Sequence, residues 1–135
     1  MSEERSALPL DETIAGALGM EFIGISDGVV RGRIPVTGRI LQPLGLVHGG
    51  AMLTLAESLA SGGTWEGVKD DGMLAMGQEI NGSLMRSITE GHVNGTATVR
   101  KRGRSAWVWD VEITDDDGNL CALVRATIAV RPARR

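Results

Sequence analysis

The sequence predicts an α+β fold in which one long helix packs against an antiparallel sheet. Three observations predict it. A run from Gly49 to roughly Val68 (GGAMLTLAESLASGGTWEGV) is apolar over most of a helical circumference. Strand-like segments flank it on both sides. Short turns join consecutive strands, which suits antiparallel pairing.

Each element follows from its residues. Asp11 to Leu18 (DETIAGAL) reads as a short amphipathic helix with Ile14 and Leu18 on one side. Met20 to Ser26 and Val29 to Val36 read as strands, with Asp27-Gly28 as the hairpin turn. Thr37 to Val47 holds Pro43 and two glycines and reads as a loop. In the long helix, Ala, Met, Leu and Glu dominate the first half, and Gly62-Gly63 is a point where it ends or bends. Met52, Leu53, Leu55, Ala56, Leu59 and Ala60 form its apolar arc. Thr54, Glu57, Ser58 and Ser61 form one polar stripe. Four strands follow: Met73 to Leu84, His92 to Arg100, Ala106 to Thr114, and Leu120 to Val130. Asp115 to Gly118 is an acidic turn, and Pro132 stops the last strand. Trp107 and Trp109 share one face of their strand and read as packing or interface residues.

The whole chain, 1–135, fits a single domain, with 1–10 as a flexible N-terminal segment and 131–135 as a basic tail. At 42% hydrophobic and 23% charged it is an ordinary globular composition. No apolar run is long enough to span a membrane, and no signal pattern opens the chain. Fourteen basic against seventeen acidic residues disfavour nucleic acid as a partner. A single Cys fits a reducing compartment, so the expected location is cytoplasmic. One Cys and two His argue against a metal site.

The chemistry concentrates at Gln42-Pro43-Leu44-Gly45-Leu46-Val47-His48-Gly49-Gly50 and the helix behind it. A glycine-rich start of a helix presents unpaired N–H groups and the positive end of the dipole. Such an end binds an anion or polarises a carbonyl that becomes an oxyanion. The plainer reading is a tight helix start against a strand. Glu57, on a largely buried helix, is a candidate nucleophile or general base, with Ser61 one turn on to hold a water. Its plainer reading is the wet face of the helix. Gly49 and Glu57 are eight residues apart, hence about 12 Å along a helix. One carbonyl does not reach both within a chain. If both act on one substrate, a two-fold dimer must supply them as composite sites.

LVHGGAMLTLAES resembles the helix signature of hotdog-fold acyl-CoA thioesterases, in the branch of 4-hydroxybenzoyl-CoA and phenylacetyl-CoA thioesterase-like proteins. The likeness runs from about Gly19 onward through MLAMGQEINGSLMR, EGHVNGTA, AWVWDV, DDDGNLCAL and IAVRP. It implies a long helix wrapped by an antiparallel sheet. It also implies dimers whose sheets join, and stacking of dimers into a tetramer. It implies that Gly49 N–H polarises the thioester carbonyl with Gln42 nearby, and that the partner's Glu57 is nucleophile or base. Ser61 stands where the branch has a Thr that assists the hydrolytic water.

For coenzyme A the resemblance implies phosphate contacts from Arg86, from Arg104 and Ser105, and from Arg134. Ser87 replaces the Pro that often follows that Arg, and Arg104 replaces a Ser. The alternative for Arg100 to Arg104 is a solvated hairpin turn. His48 and Gly50 complete the substrate-binding loop, His48 as a brace rather than a base. Asn81, and Gln78 near it, are candidates for the pantetheine amides. Cys121 is a buried small hydrophobe.

The expected activity is hydrolysis of an acyl-CoA, aromatic by family likeness (hydroxybenzoyl or phenylacetyl), to free acid and coenzyme A. No cofactor is expected, since coenzyme A is part of the substrate. The rivals are a hotdog enoyl-thioester hydratase, a non-catalytic acyl-CoA binding module and an interaction scaffold.

Overall fold

The computed structural model describes residues 8–133. Arg134, expected to touch phosphate, lies outside them. The elements are α1 (Ile14–Leu18), β1 (Glu21–Ser26), β2 (Val29–Pro35), α2 (Gly49–Val68), β3 (Met73–Leu84), β4 (His92–Arg102), β5 (Ala106–Thr114) and β6 (Leu120–Pro132). Single 3-10 turns cover Leu10–Glu12, Gly38–Ile40 and Lys69–Asp71. The six strands form one antiparallel sheet in the order β1-β2-β4-β5-β6-β3. One long helix on a six-stranded antiparallel sheet is the α+β arrangement that the residues predict and the hotdog arrangement that the resemblance implies.

Burial follows the two periodicities. In α2, Ala51, Met52, Leu55, Ala56, Leu59, Ala60, Gly63, Thr64 and Val68 are buried. β5 alternates, with Trp107, Trp109, Val111 and Ile113 inward. Glycines set how closely helix and sheet approach. A Cβ on Gly63 would strike the Trp109 ring and Val30, and one on Gly67 would strike Trp107. The two rings lie 6.2 Å apart. The buried Trp109 Nε1 donates to Thr64 Oγ1 at 2.9 Å, so both groups are satisfied.

Several expectations change in detail. The segment from Asp11 to Leu18 is not one helix: Thr13 breaks it, its hydroxyl donating to the Leu10 carbonyl. Ala15, not Ile14, is buried there, and Leu10 already belongs to a turn. At the first hairpin only Gly28 takes a left-handed φ, at +75°, and Asp27 does not. Gly62-Gly63 does not end α2, which runs on to Val68, and at Gly63 the missing side chain leaves room for the Trp109 ring and Val30. β4 continues through Arg100 to Arg102 across a bulge, so the turn is only Gly103 to Ser105. Pro132 is the last residue of β6, paired with Met73, and Arg131 belongs to the strand rather than to a tail.

Candidate active site

The loop before α2 is tied down by its own backbone. Gln42 N–H donates to the Leu46 carbonyl at 2.8 Å, and Gly45 N–H to the Gln42 carbonyl at 2.9 Å. The Gln42 side-chain oxygen accepts from Leu44 N–H. Val47 N–H reaches the Ile88 carbonyl and His48 N–H the Ile40 carbonyl. His48 then caps the helix: its Nδ1 accepts from Gly50 N–H at 2.8 Å. A neutral ring accepting there carries its proton on Nε2. Ala51 N–H bonds the His48 carbonyl. Gly50 and Ala51 are therefore paired, while Gly49 N–H makes no hydrogen bond among the described residues. It is the free donor at the positive end of α2, a helix of 20 residues. The brace expected of His48 is this cap.

A cleft of about 260 Å³ opens at that donor, lined by Gln42, Leu46, Val47, Gly49, Met52, Leu84, Met85, Arg86 and Ser87. Gln42, Gly49 and Arg86 thus come together. Leu84 presses its side chain on Gly49, close enough that a Cβ there would collide with it. Met85 and Arg86 N–H both donate to the Cys121 carbonyl, which fixes where the Arg86 side chain starts. Arg86 Nε lies 3.8 Å from the Asp115 carboxylate. That carboxylate accepts from Asn119 side chain and backbone and from Asp117 N–H, so it is held below the usual Asp pKa. Burial pushes the Cys121 thiol pKa up, in keeping with an inert side chain.

Glu57 stands elsewhere, mid-helix and exposed, with its carboxylate over Gly77 of β3. A side chain at residue 77 would occupy its place. Glu57 makes no hydrogen bond or ion pair with another described residue. Along its stripe, Thr54 and Ser58 spend their hydroxyls on the carbonyls of Gly50 and Thr54, at 2.8 and 2.7 Å. Ser61 is half-buried and its hydroxyl has no partner among the described residues. One chain therefore keeps Glu57 and Ser61 apart from Gly49 and Gln42.

The other expected residues scatter. Arg104 and Ser105 sit exposed in the β4–β5 turn, where the Ser105 carbonyl accepts from Val130 N–H and from Arg131. Val130 and Ala122, which pairs with Leu84 beside Gly49, lie eight residues apart on β6. That is about 26 Å, so this turn and the Gly49 cleft occupy opposite ends of the sheet. Asn81 is turned away from the helix, paired in register with Arg125, and its amide donates to Glu79 at 2.9 Å. The β-bulge between Gly77 and Glu79 re-aims the strand, so β3 alternation counted from Gly77 puts Asn81 on the wrong face. Leu84, Met85, Met52 and Asp115 were not legible as site residues. An apolar pair at a strand end and an acid in a turn carry no chemical signature.

The model of the thioesterase superfamily matches residues 44–122, more than half of the chain. The chain belongs to the thioesterase superfamily. This thioesterase is similar to a putative esterase of Deinococcus radiodurans, 39% identical over 90% of this chain and 76% of that protein. It is similar to a 1,4-dihydroxy-2-naphthoyl-CoA hydrolase of Listeria monocytogenes, 36% identical over 93% and 98% of the two chains. A thioesterase of Staphylococcus aureus superposes with a TM-score of 0.85 at 32% identity, over 88% of this chain and 98% of that one. That protein has been solved with a glutamine changed to alanine and, separately, with a glutamate fifteen positions later changed to alanine. The family and the relatives place the chain among thioester hydrolases.

Proposed function

We propose that this thioesterase hydrolyses an acyl-CoA, with an aromatic acyl group as the favoured class, at sites built from two chains. The observation that carries it is the contrast within α2: a free, pre-aimed N–H at Gly49 and an unpaired carboxylate at Glu57, about 12 Å along one rigid helix. The thioester carbonyl oxygen lies at Gly49 N–H, where the positive helix end stabilises the developing oxyanion. Glu57 of the partner subunit attacks the carbonyl carbon, expels the coenzyme A thiolate and leaves a mixed anhydride that water hydrolyses. Acting instead as a base, it takes a proton from a water that attacks. Either route ends in free acid and coenzyme A. The Ser61 hydroxyl is placed one turn on to hold that water, and Gln42 lines the carbonyl's cleft.

The sheet offers the means to bring the two chains together. β3 is an edge strand, and it carries both landmarks: Glu57 covers Gly77, and Gly49 abuts Leu84. Antiparallel pairing of two β3 strands about a dyad near Ile80 and Asn81 sets Gly77 of one against Leu84 of the other. The same register carries the Arg104–Ser105 turn of one chain toward the partner's Arg86, which gathers the cations that the sheet separates within a chain. A pair of such dimers forms the tetramer. The spacing of Gln42 and Glu57 equals that of the two residues replaced in the S. aureus protein. The naphthoyl-CoA hydrolases among the relatives support the aromatic acyl class. A reducing cytoplasm suits the reaction, since it holds free coenzyme A as the thiol.

Glu57→Ala tests the reading. Thiol release from aromatic acyl-CoAs falls by about a thousandfold or more while the assembled protein persists. Wild-type turnover in that variant would sink it.

A further inference from the structure

We propose that Asp115 is a positioning residue for Arg86: it holds the guanidinium so that its outer edge meets a phosphate of coenzyme A. This rests on the reading that the substrate is a coenzyme A thioester and that Arg86 is one of its phosphate contacts.

Three observations carry the assignment. The first is that one stretch of chain, residues 115–121, holds Arg86 at both ends. Met85 and Arg86 N–H donate to the Cys121 carbonyl, at 2.7 and 3.1 Å, which fixes the backbone. Asp115 meets the side chain, its Oδ2 lying 3.8 Å from Nε. The two terminal nitrogens of Arg86 make no hydrogen bond with another described residue. That free edge is a planar fork, suited to grip a phosphate through two parallel bonds.

The second is how firmly the carboxylate is set. Its Oδ1 accepts from Asp117 N–H at 3.0 Å and Asn119 N–H at 2.9 Å, and its Oδ2 from the Asn119 amide at 2.9 Å. The Asp115 side chain is 18% exposed, against 58% for Arg86. A fixed anion thus stands beside an arm that solvent largely surrounds. The Oδ1 bonds close the turn, and asparagine makes such bonds as readily as aspartate. The turn alone leaves the charge at residue 115 unexplained, and Arg86 is the cation within its reach.

The third is the setting. Arg86 stands where two cavities meet. The Gly49 cleft has no acidic residue in its lining. The cavity on the other side is lined by Glu90, Asp115, Asp116 and Asp117. A polyanion is repelled from that side and meets Arg86 from the Gly49 side. Asp115 sits behind Nε while the phosphate sits before the terminal nitrogens, and water screens the longer distance between the two anions. Without Asp115, ordering a long exposed side chain falls on the phosphate contact itself, which is the larger loss.

Asp115→Asn tests this, because it keeps the Oδ1 acceptor of the turn and removes the charge. The readout is a ratio of kcat/KM values, measured by thiol release. It compares 2-naphthoyl-CoA with S-(2-naphthoyl)-N-acetylcysteamine, which ends before the phosphates. The ratio falls about threefold to fivefold, through KM of the coenzyme A thioester, the size expected of a partly exposed ion pair. The Kd of coenzyme A, measured by calorimetry, rises by the same factor. Arg86→Lys leaves the turn untouched but lacks the fork, and it lowers the ratio too. In an Arg86→Ala background, Asp115→Asn changes the ratio no further. If Arg86→Ala lowers the ratio and Asp115→Asn leaves it unchanged or raises it, the proposal is overturned. A turn that merely loosened would give that result, since it slows both thioesters alike. An unchanged ratio in Arg86→Ala sinks the reading of Arg86 as a phosphate contact, and the proposal with it. Thiol release by Glu57→Ala reads the mechanism independently of these ratios.

Discussion

The two ends of the proposed reaction centre are built in opposite ways. Around Gly49, nearly every neighbouring polar group is committed: the Gln42 loop bonds itself, His48 caps Gly50, and one N–H is left over. Around Glu57 nothing is committed; the carboxylate stands exposed over a glycine, beside a serine hydroxyl with no partner among the described residues. A donor for an oxyanion acts best when fixed in advance, because it then needs no reorganisation as charge develops. A carboxylate that must attack or take a proton acts best when no internal cation has claimed it. On the proposed reading, the contrast makes the two positions complementary half-sites that need a second chain to meet.

The sharpest way to break the comparison is to separate the halves genetically. Glu57→Ala and Gln42→Ala homodimers should each be strongly impaired. Dissociating, mixing and reassociating them should restore roughly a quarter of wild-type turnover, because half the dimers then hold one site with both wild-type residues. Additivity of the two residual activities, with no recovery, would mean that each chain works alone. A smaller effect belongs to the fixed half. Gly49→Ala pushes a methyl into Leu84, the end of a flexible side chain, and displaces the donor. Turnover should drop about tenfold to a hundredfold with the fold intact, and Leu84→Ala added to it should recover part of the loss. A double variant as poor as the single one would detach Leu84 from the effect.

The mildest effect is on acid stability. Asn94 and then His92 hydrogen-bond Asp116 and hold its pKa below the ordinary Asp value of about 3.9. A folded-state pKa that is lowered contributes stability above the unfolded value, lost as pH falls through the folded one. Hydrogen exchange in residues 86–91, whose Gly91 packs on Asp116, should therefore quicken in the wild type below about pH 4. Asp116→Asn should flatten that dependence. An identical acid profile in the variant would remove Asp116 from the account.

The fold was legible because its signals are local. The bounds of β3 and α2 follow from a period of two giving way to a wide helical arc, with glycine and acidic turns between. Boundaries failed where a contact from afar decided them. Val99 and Lys101 pair across a bulge that carries β4 past its basic run, and pairing with Met73 keeps Pro132 inside β6. Gly49 was legible as a candidate because a glycine-rich helix start leaves backbone N–H groups unpaired, whereas the burial argument for Glu57 did not hold, since its carboxylate is exposed. Which face Asn81 takes was not legible, because a one-residue bulge turns the rest of a strand over and no residue type announces it.

By itself, then, the chain's order of residues determined the helix, the strands, the glycine-rich helix start and the fixed spacing that forbids one helix from serving both ends of a carbonyl. Those properties depend on neighbours within a turn or a hairpin, where covalent geometry alone sets distance. Only the tertiary structure decided that Arg86 joins Gln42 and Gly49, that Arg104 stands some 26 Å away, and that Asp115 faces Arg86. Strand order and bulges set those relations. They arise from the packing of segments far apart in the chain, which no local pattern encodes.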